Sequence, residues 1–338
     1  MREPHRVKLA VVCVLAAALV AGCGSTSEVR ESDLVTRGAS PRPADSGARS
    51  ADQRITIAVV THGQASSEFW NIVRNGIEAG GRQMDVQVNY RAPDVYDVGT
   101  MRALIDAAVA SEPDGLVVSI PSKGLGPSIR RAVRAGIPVV SINSGSDVSR
   151  RIGTLAHVGQ PEEVAGLKAG RRLAAAGARN ALCVNQEPGN EGLDRRCAGF
   201  ARALREAGGT SRVLAVDDKD VQATRRRLAA ASAGEGVDAV LTLNNTGAEI
   251  ATEVVPRRVR LATFDYSPQV LEALRGGRIL FAVDQQPYLQ GYLPIVFLAE
   301  RERYGLFPAQ GEVIPTGPSF VTRETAAQAA RLSQLGIR

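Results

Sequence analysis

Few side chains in this sequence are of types that do covalent or metal chemistry. Cys183 and Cys197 fall within "LCVNQEPGNEGLDRRCAGF", a short apolar run that breaks into amides, acids, Gly and Pro and resumes as a helix-like pattern. Two thiols at the ends of so polar a stretch are open to four readings: metal ligands, a redox pair, a nucleophile, or a structural disulfide. The other signatures of an enzyme are missing. No G-x-S-x-G occurs, and neither His62 nor His157 has an evident nucleophile beside it. "THGQASS" is not the G-x-G-x-x-G turn of a dinucleotide site, and "GIEAGG" lies inside a helical pattern. No catalytic residue and no cofactor is expected.

The compartment decides among the four readings. Arg2, His5, Arg6 and Lys8 precede the uncharged run "LAVVCVLAAALV" from Leu9 to Val20, which is followed by Ala21, Gly22 and Cys23. Residues 1–22 have the layout of a secretory signal, and the run is about half of the roughly 20 residues needed to span a bilayer. Its end resembles the bacterial lipoprotein box, which implies lipid on Cys23 and an extracytoplasmic, membrane-anchored protein in the periplasm or on the cell surface. Residues 23–53 are rich in Ser, Pro, Gly and charge and cannot build a core, so they read as a flexible tether. Cys13 leaves with the signal and Cys23 carries lipid, so Cys183 and Cys197 remain, and in an oxidising compartment two leftover cysteines pair. A metal site would need more ligands, and His5, His62 and His157 stand in no ligand-like spacing. A redox role is weakened because the gap is far longer than CxxC. Closing a loop of about 15 residues stabilises a fold by roughly 3 kcal/mol in the chain-entropy account.

These polar stretches must be held by regular elements. From Arg54 onward, β-branched runs alternate with helical patterns. "ITIAVVTHG" precedes "EFWNIVRNGIEAGGRQM", "VQVNYRA" precedes "VGTMRALIDAAVASEP", "DGLVVSIPS" precedes "LGPSIRRAVRAG", and "IPVVSINSG" closes the series. A second series runs from "ARNALCVNQEPGN" to "PQVLEALRGG", joined to the first through "QPEEVAGLKAGRRLAAAG". Two runs of βα units predict an α/β protein of two similar lobes, each a parallel sheet flanked by helices. After "RILFAVDQQPYLQGYLPIVFLAERERYG", one more strand, "GEVIPTGPSFVT", is predicted. The 41 basic and 35 acidic residues leave a formal net charge of +6, part of it in the signal. The run Arg225–Arg227 sits on a helical pattern and reads as a solvated face, so no nucleic-acid partner is expected.

"IPVV", "RCAGF", "FDYS" and above all "FAVDQQPYLQGY" follow one another in an order and spacing similar to the periplasmic sugar-binding proteins of ABC transporters, type I, the ribose- and galactose-binding group and its simple-sugar branch. The resemblance covers Arg54 to the end of the chain. It implies a three-strand hinge, with one lobe from 54–157 plus 285–312 and the other from 158–284 plus 313–338. It also implies a monomer that closes on a small neutral sugar or polyol and delivers it to an ABC permease. A receptor for a signalling system, or binding of a nucleoside or signalling sugar, are the alternatives. A repressor sharing the two-lobed core would need an N-terminal helix-turn-helix where this chain has a signal and tether.

Parallel sheets place binding groups in the loops after their strands. The first such loop carries His62, followed by Phe69 and Trp70 at the place where, in the ribose-binding pattern, adjacent aromatics stack on the sugar; the competing reading is that Trp70 anchors its helix in the core. After the fourth strand the family's Asp-Arg pair is replaced by Asn143 and Ser144, which removes a charge-assisted grip on adjacent hydroxyls. In the second lobe, Glu187, Asn190 and Arg195 or Arg196 fall near the family's arginine. Asn244 or Asn245 matches a strand ending in Asn, Asp265 a carboxylate acceptor, and Gln285 the hinge glutamine. The competing reading for the last three positions is that they cap helices or turns.

Overall fold

A computed structural model describes residues 54–338, apart from 64–66, 95, 218, 235 and 309–310. The signal and the whole tether, Cys13 and Cys23 among them, lie outside the described residues.

The first lobe is built from β1 (Thr56–Val60), α1 (Glu68–Gln83), β2 (Gln87–Arg91), α2 (Val98–Ala110), β3 (Gly115–Ser119), α3 (Gly126–Arg134), β4 (Val139–Ile142), α4 (Ser146–Ile152) and β5 (Ala156–Gly159). The second contains α5 (Glu162–Ala175), β6 (Asn180–Asn185), α6 (Glu191–Glu206), β7 (Thr210–Ala215), α7 (Val221–Ala233), β8 (Ala239–Thr242), α8 (Asn245–Val254), β9 (Arg260–Phe264), α9 (Pro268–Arg275) and β10 (Ile279–Asp284). The chain then returns through α10 (Pro287–Tyr304) and β11 (Glu312–Pro315) to the first lobe, and through β12 (Ser319–Val321) and α11 (Ala326–Gln334) to the second. The sheets run β11-β5-β4-β3-β1-β2 and β12-β10-β9-β8-β6-β7. Every pairing is parallel except β12 on β10, so the second sheet carries one antiparallel edge strand.

The central strands read as near-continuous Val, Ile and Leu because both faces are covered, and β3 is buried along its whole length. Each sheet therefore has an apolar cluster on either side, such as Val60, Ile105, Leu116 and Ile129 on one face and Ile57, Val73, Ile77 and Ile295 on the other. In both lobes one pair of helices packs backbone to backbone through glycine. A Cβ on Gly291 of α10 would lie 2.0 Å from the carbonyl oxygen of Val73 in α1, and one on Gly199 of α6 would lie 2.0 Å from that of Glu163 in α5. A disulfide joins Cys183 in β6 to Cys197 in α6, with Cα atoms 5.7 Å apart, and both residues are buried.

Two boundaries differ from the sequence reading. The expected lobe division at 157/158 falls inside β5, and that at 312/313 falls inside β11, whose register with β5 runs to Pro315 opposite Gly159. "GEVIPTGPSFVT" is two strands, one in each sheet. Pro318 offers no N–H to a ladder, and the chain changes sheet across Thr316–Pro318. The three crossings, at Gln160–Pro161, Gln285–Gln286 and Thr316–Pro318, are tied side by side. Gln286 Nε2 donates to Thr316 O at 2.6 Å, Gln290 Nε2 to Gln285 O at 3.2 Å, and the Thr316 N–H to Gly159 O at 3.2 Å.

Candidate functional site

Between the lobes lies a cleft of about 770 Å³, lined by loops that follow strands of both sheets. On the first lobe, the loop after β1 carries His62. Its backbone N–H donates to Ser119 Oγ at 2.9 Å, and its Nδ1 lies 2.8 Å from the same oxygen. Burial lowers its pKa to about 4, so the imidazole is neutral at physiological pH. The ring meets Trp70 edge-on at 4.8 Å and Tyr96 at 5.8 Å, and Phe69 meets Trp70 edge-on at 5.2 Å. Trp70 is 8% exposed and packs in the core beside Ile57 and Val73. The indole occupies the space a Cβ on Gly63 would need, with its Cδ1 1.8 Å from that point, so glycine is required there. Phe69 is the more open ring, and both line the cleft.

Asn143 follows β4 with φ 61°, a left-handed conformation that Asn tolerates better than most residues. Its Nδ2 donates to Gln290 Oε1 at 3.2 Å. Ser144 Oγ stands 3.1 Å from Asn143 Oδ1 and 3.3 Å from Asn190 Oδ1 on the other lobe, with one proton to give to either.

On the second lobe, Asn190 caps α6, accepting from the Gly192 N–H at 3.1 Å, while its Nδ2 donates to Glu187 Oε2 at 2.8 Å. Asn244 caps α8 by accepting from the Gly247 N–H at 2.9 Å, and Asn245 Nδ2 reaches Glu68 Oε2 of the first lobe at 3.4 Å. Asp265, with φ 58°, accepts from Gln285 Nε2 at 2.7 Å. Burial pushes its carboxyl up to about 7, against the opposing pull of the Arg196 charge and the Gln285 hydrogen bond. His62, Phe69, Trp70, Asn143, Glu187, Asn190, Arg196, Asn244, Asn245, Asp265 and Gln285 all line the cleft.

Arg195 does not. Its guanidinium lies on the outside of α6, 2.7 Å from Asp147 and 3.7 Å from Glu163, because the next position on a helix points about 100° away. Arg196 turns inward and is 3% exposed. It donates to both oxygens of Glu162 at 2.5 and 2.9 Å and to Gln285 Oε1 at 2.7 Å, and its guanidinium lies 4.6 Å from the Phe264 ring centre. Gln160 Nε2 donates to the same Glu162 at 2.9 Å. One continuous polar chain thus runs from the first crossing, through Glu162, Arg196 and Gln285, to Asp265 in the cleft.

Sequence reasoning did not single out Glu162 or Tyr96. Tyr96 was open to detection as an aromatic in the loop after β2. Glu162 looks like any acid in the first turn of a helix, where it favours the dipole and is ordinarily solvated. No group of three or more metal-ligating side chains exists among the described residues. The cleft therefore offers rings, amides, carboxylates and a neutral imidazole, the equipment for holding a polyhydroxylated molecule by hydrogen bonds and ring contacts.

Residues 57–301 match the family described as periplasmic binding protein domain. Over 288 residues the chain is 24% identical to the xylose/arabinose-binding protein XylF of Sulfolobus acidocaldarius, spanning 79% of this chain and 70% of that one. A carbohydrate transporter from Acidothermus cellulolyticus, solved in complex with myo-inositol, is 35% identical with a TM-score of 0.80, covering 85% of this chain and 100% of that one. An ABC transporter solute-binding protein from Burkholderia graminis, in complex with D-arabinose, shares the fold at 20% identity and a TM-score of 0.73, covering 82% of this chain and 98% of that one. The two helix-flanked sheets are the type I architecture, and the chain belongs to the periplasmic binding protein family, whose members bind solutes and are not enzymes.

Proposed function

We propose that this protein captures a small neutral polyhydroxylated molecule, a cyclic polyol or a monosaccharide, in the interlobe cleft and delivers it outside the cytoplasm to an ABC permease, held to the membrane by lipid on Cys23. The observation that carries this reading is the pairing of acceptors and donors from both lobes around one space: Asn143 and His62 on one side, Glu187, Asp265 and Asn190 on the other. Such groups meet a ring of hydroxyls from both faces, while the face of the more open Phe69 ring meets its C–H groups. The myo-inositol bound by the relative from Acidothermus cellulolyticus supports a cyclic polyol as the first ligand to try. Asn143 and Ser144, standing where ribose binders have Asp-Arg, favour a ligand that needs less charge on that side.

A thermal-shift screen against myo-inositol, aldoses, polyols and nucleosides tests this. A cognate ligand at 100 times its Kd stabilises the protein by about 2.7 kcal/mol. No shift with any polyol or sugar, alongside a shift with a nucleoside, would refute the proposed ligand class.

A further inference from the structure

A second site lies at the opposite end of the second lobe's sheet from the cleft. The loop between α8 and β9 and the turn between α9 and β10 together form a groove of about 230 Å³, lined by Arg257, Arg258, Arg260 and Arg278 with Leu280 at its edge. The strands show how far this is from the proposed sugar site. Arg260 opens β9, which ends just before Asp265, and Arg278 precedes β10, which ends just before Gln285. Five or six residues at about 3.3 Å each separate the two sites by roughly 17–20 Å.

Among the described residues, the charge in the groove has no carboxylate partner. Arg278 donates to the carbonyls of Val255 and Val259 at 2.7 and 3.1 Å, and Arg258 to those of Ala233 and Gly234 at 3.1 and 3.4 Å. These contacts fix two guanidiniums in place without neutralising them. No carboxylate among the described residues pairs with any of the four. Of the neighbouring acids, Glu253 and Glu272 are taken by Arg225 and Arg275, and the Asp238 carboxylate accepts from the backbone N–H groups of Arg179 and Asn180. The arginines therefore press on one another, and the Arg257 charge adds to burial in lowering the pKa of Arg278. Guanidinium forks match the oxygens of a phosphate two at a time, and several of them suit an anion of more than one charge. Leu280, 39% exposed, gives the lip an apolar edge for an organic group.

We propose that this groove binds the phosphate group of a phosphate ester. A soluble ester and an anionic lipid headgroup share that chemistry, and the test separates them. The full chain, with Cys23→Ser so that no acyl chain contributes, is titrated calorimetrically with glycerol 3-phosphate at fixed ionic strength, and is sedimented with vesicles of phosphatidylglycerol or of phosphatidylcholine. Saturable binding of glycerol 3-phosphate assigns a soluble ester, and sedimentation only with phosphatidylglycerol assigns a headgroup. In either case Arg257→Ala with Arg260→Ala, which removes the two guanidiniums that hold no carbonyl, weakens binding at least tenfold. Its thermal shift with myo-inositol, or with whichever sugar or polyol the screen above selects, stays that of the parent chain, because neither residue lines the cleft. Binding no stronger than that of chloride at equal ionic strength, or equal binding by the double variant, overturns the proposal.

Discussion

Asp265 is the side chain through which pH should reach the ligand. In the unliganded cleft its carboxyl sits at about 7, raised by burial from an ordinary 3.8, with the nearby charges of Asp284 and Glu162 adding to the rise and Arg196 and Gln285 opposing it. A ligand hydroxyl that donates to this carboxylate stabilises the ionised form, so the bound complex should titrate well below 7. Affinity is then constant above about pH 8 and falls about tenfold for each unit below 7. At pH 5 the ligand binds about 100-fold more weakly, or about 2.8 kcal/mol. The stability of the unliganded protein runs the other way. A carboxyl held more protonated in the folded than in the unfolded chain contributes fully below about pH 4, and this contribution is lost as pH rises through 7.

His62 and His157, both lowered to about 4 by burial, stay neutral across this window and do not mimic the effect. Isothermal titration from pH 5 to 8.5, in two buffers of different ionisation enthalpy, reads both affinity and proton release. Asp265→Asn should give a nearly flat profile at the weak, acidic level. Wild-type affinity that is flat, or that rises toward acid, would show that the carboxylate does not accept from the ligand.

Glu162→Gln should cost about 3–5 kcal/mol in urea unfolding, because it leaves the Arg196 charge buried without its partner. A loss below about 1 kcal/mol would mean that Gln285 and the carbonyl of Leu243, to which Arg196 Nη1 donates at 3.4 Å, suffice. Cys183→Ala with Cys197→Ala should cost roughly 3 kcal/mol on the chain-entropy account, and an unfolding midpoint that dithiothreitol leaves unchanged in the wild type would contradict it. Cys23→Ser should move the protein from the membrane to the soluble fraction; retention on the membrane removes the lipid anchor from the proposed function.

The two-lobed plan was legible because βα units announce themselves twice: by period-free apolar runs such as "LVVS" and by helical faces such as Met101, Ile105 and Ala108. The short elements were not. α4 spans seven residues, too few for a period to show, and β5 is four residues with His157 among them, buried and tied to Ser141 Oγ at 3.0 Å. Most of the cleft was legible for a topological reason, since parallel strands deliver their loops to one end of the sheet. Arg195 and Arg196 could not be separated, because the sequence states their adjacency but not which of them α6 turns toward α5. Glu162 stayed hidden because its burial depends on a crossing strand 125 residues from Gln285, in a register no local pattern fixes.

For the proposed closure on a ligand, the rim contacts between the lobes contribute little by themselves. Arg195 of α6 pairs with Asp147 of α4 at 2.7 Å, Lys123 with Glu191 at 3.1 Å, and the Glu191 N–H donates to Pro121 O at 3.1 Å. Each ion pair has an exposed cation, and such pairs contribute about 0–1 kcal/mol apiece and weaken with salt. Against them, Glu68 of the first lobe faces Glu249 of the second, and that like charge adds to burial in raising the Glu68 carboxyl. The rim ion pairs together supply at most about 2 kcal/mol, whereas shifting a population from 1:99 to 99:1 takes about 5.5 kcal/mol of differential affinity. Hydrogen bonds to charged groups contribute about 1.5–3 kcal/mol each. Two or three of them, from hydroxyls of the proposed ligand to Glu187 and Asp265, supply that difference only when His62 and Asn143 close on the same ring from the other side.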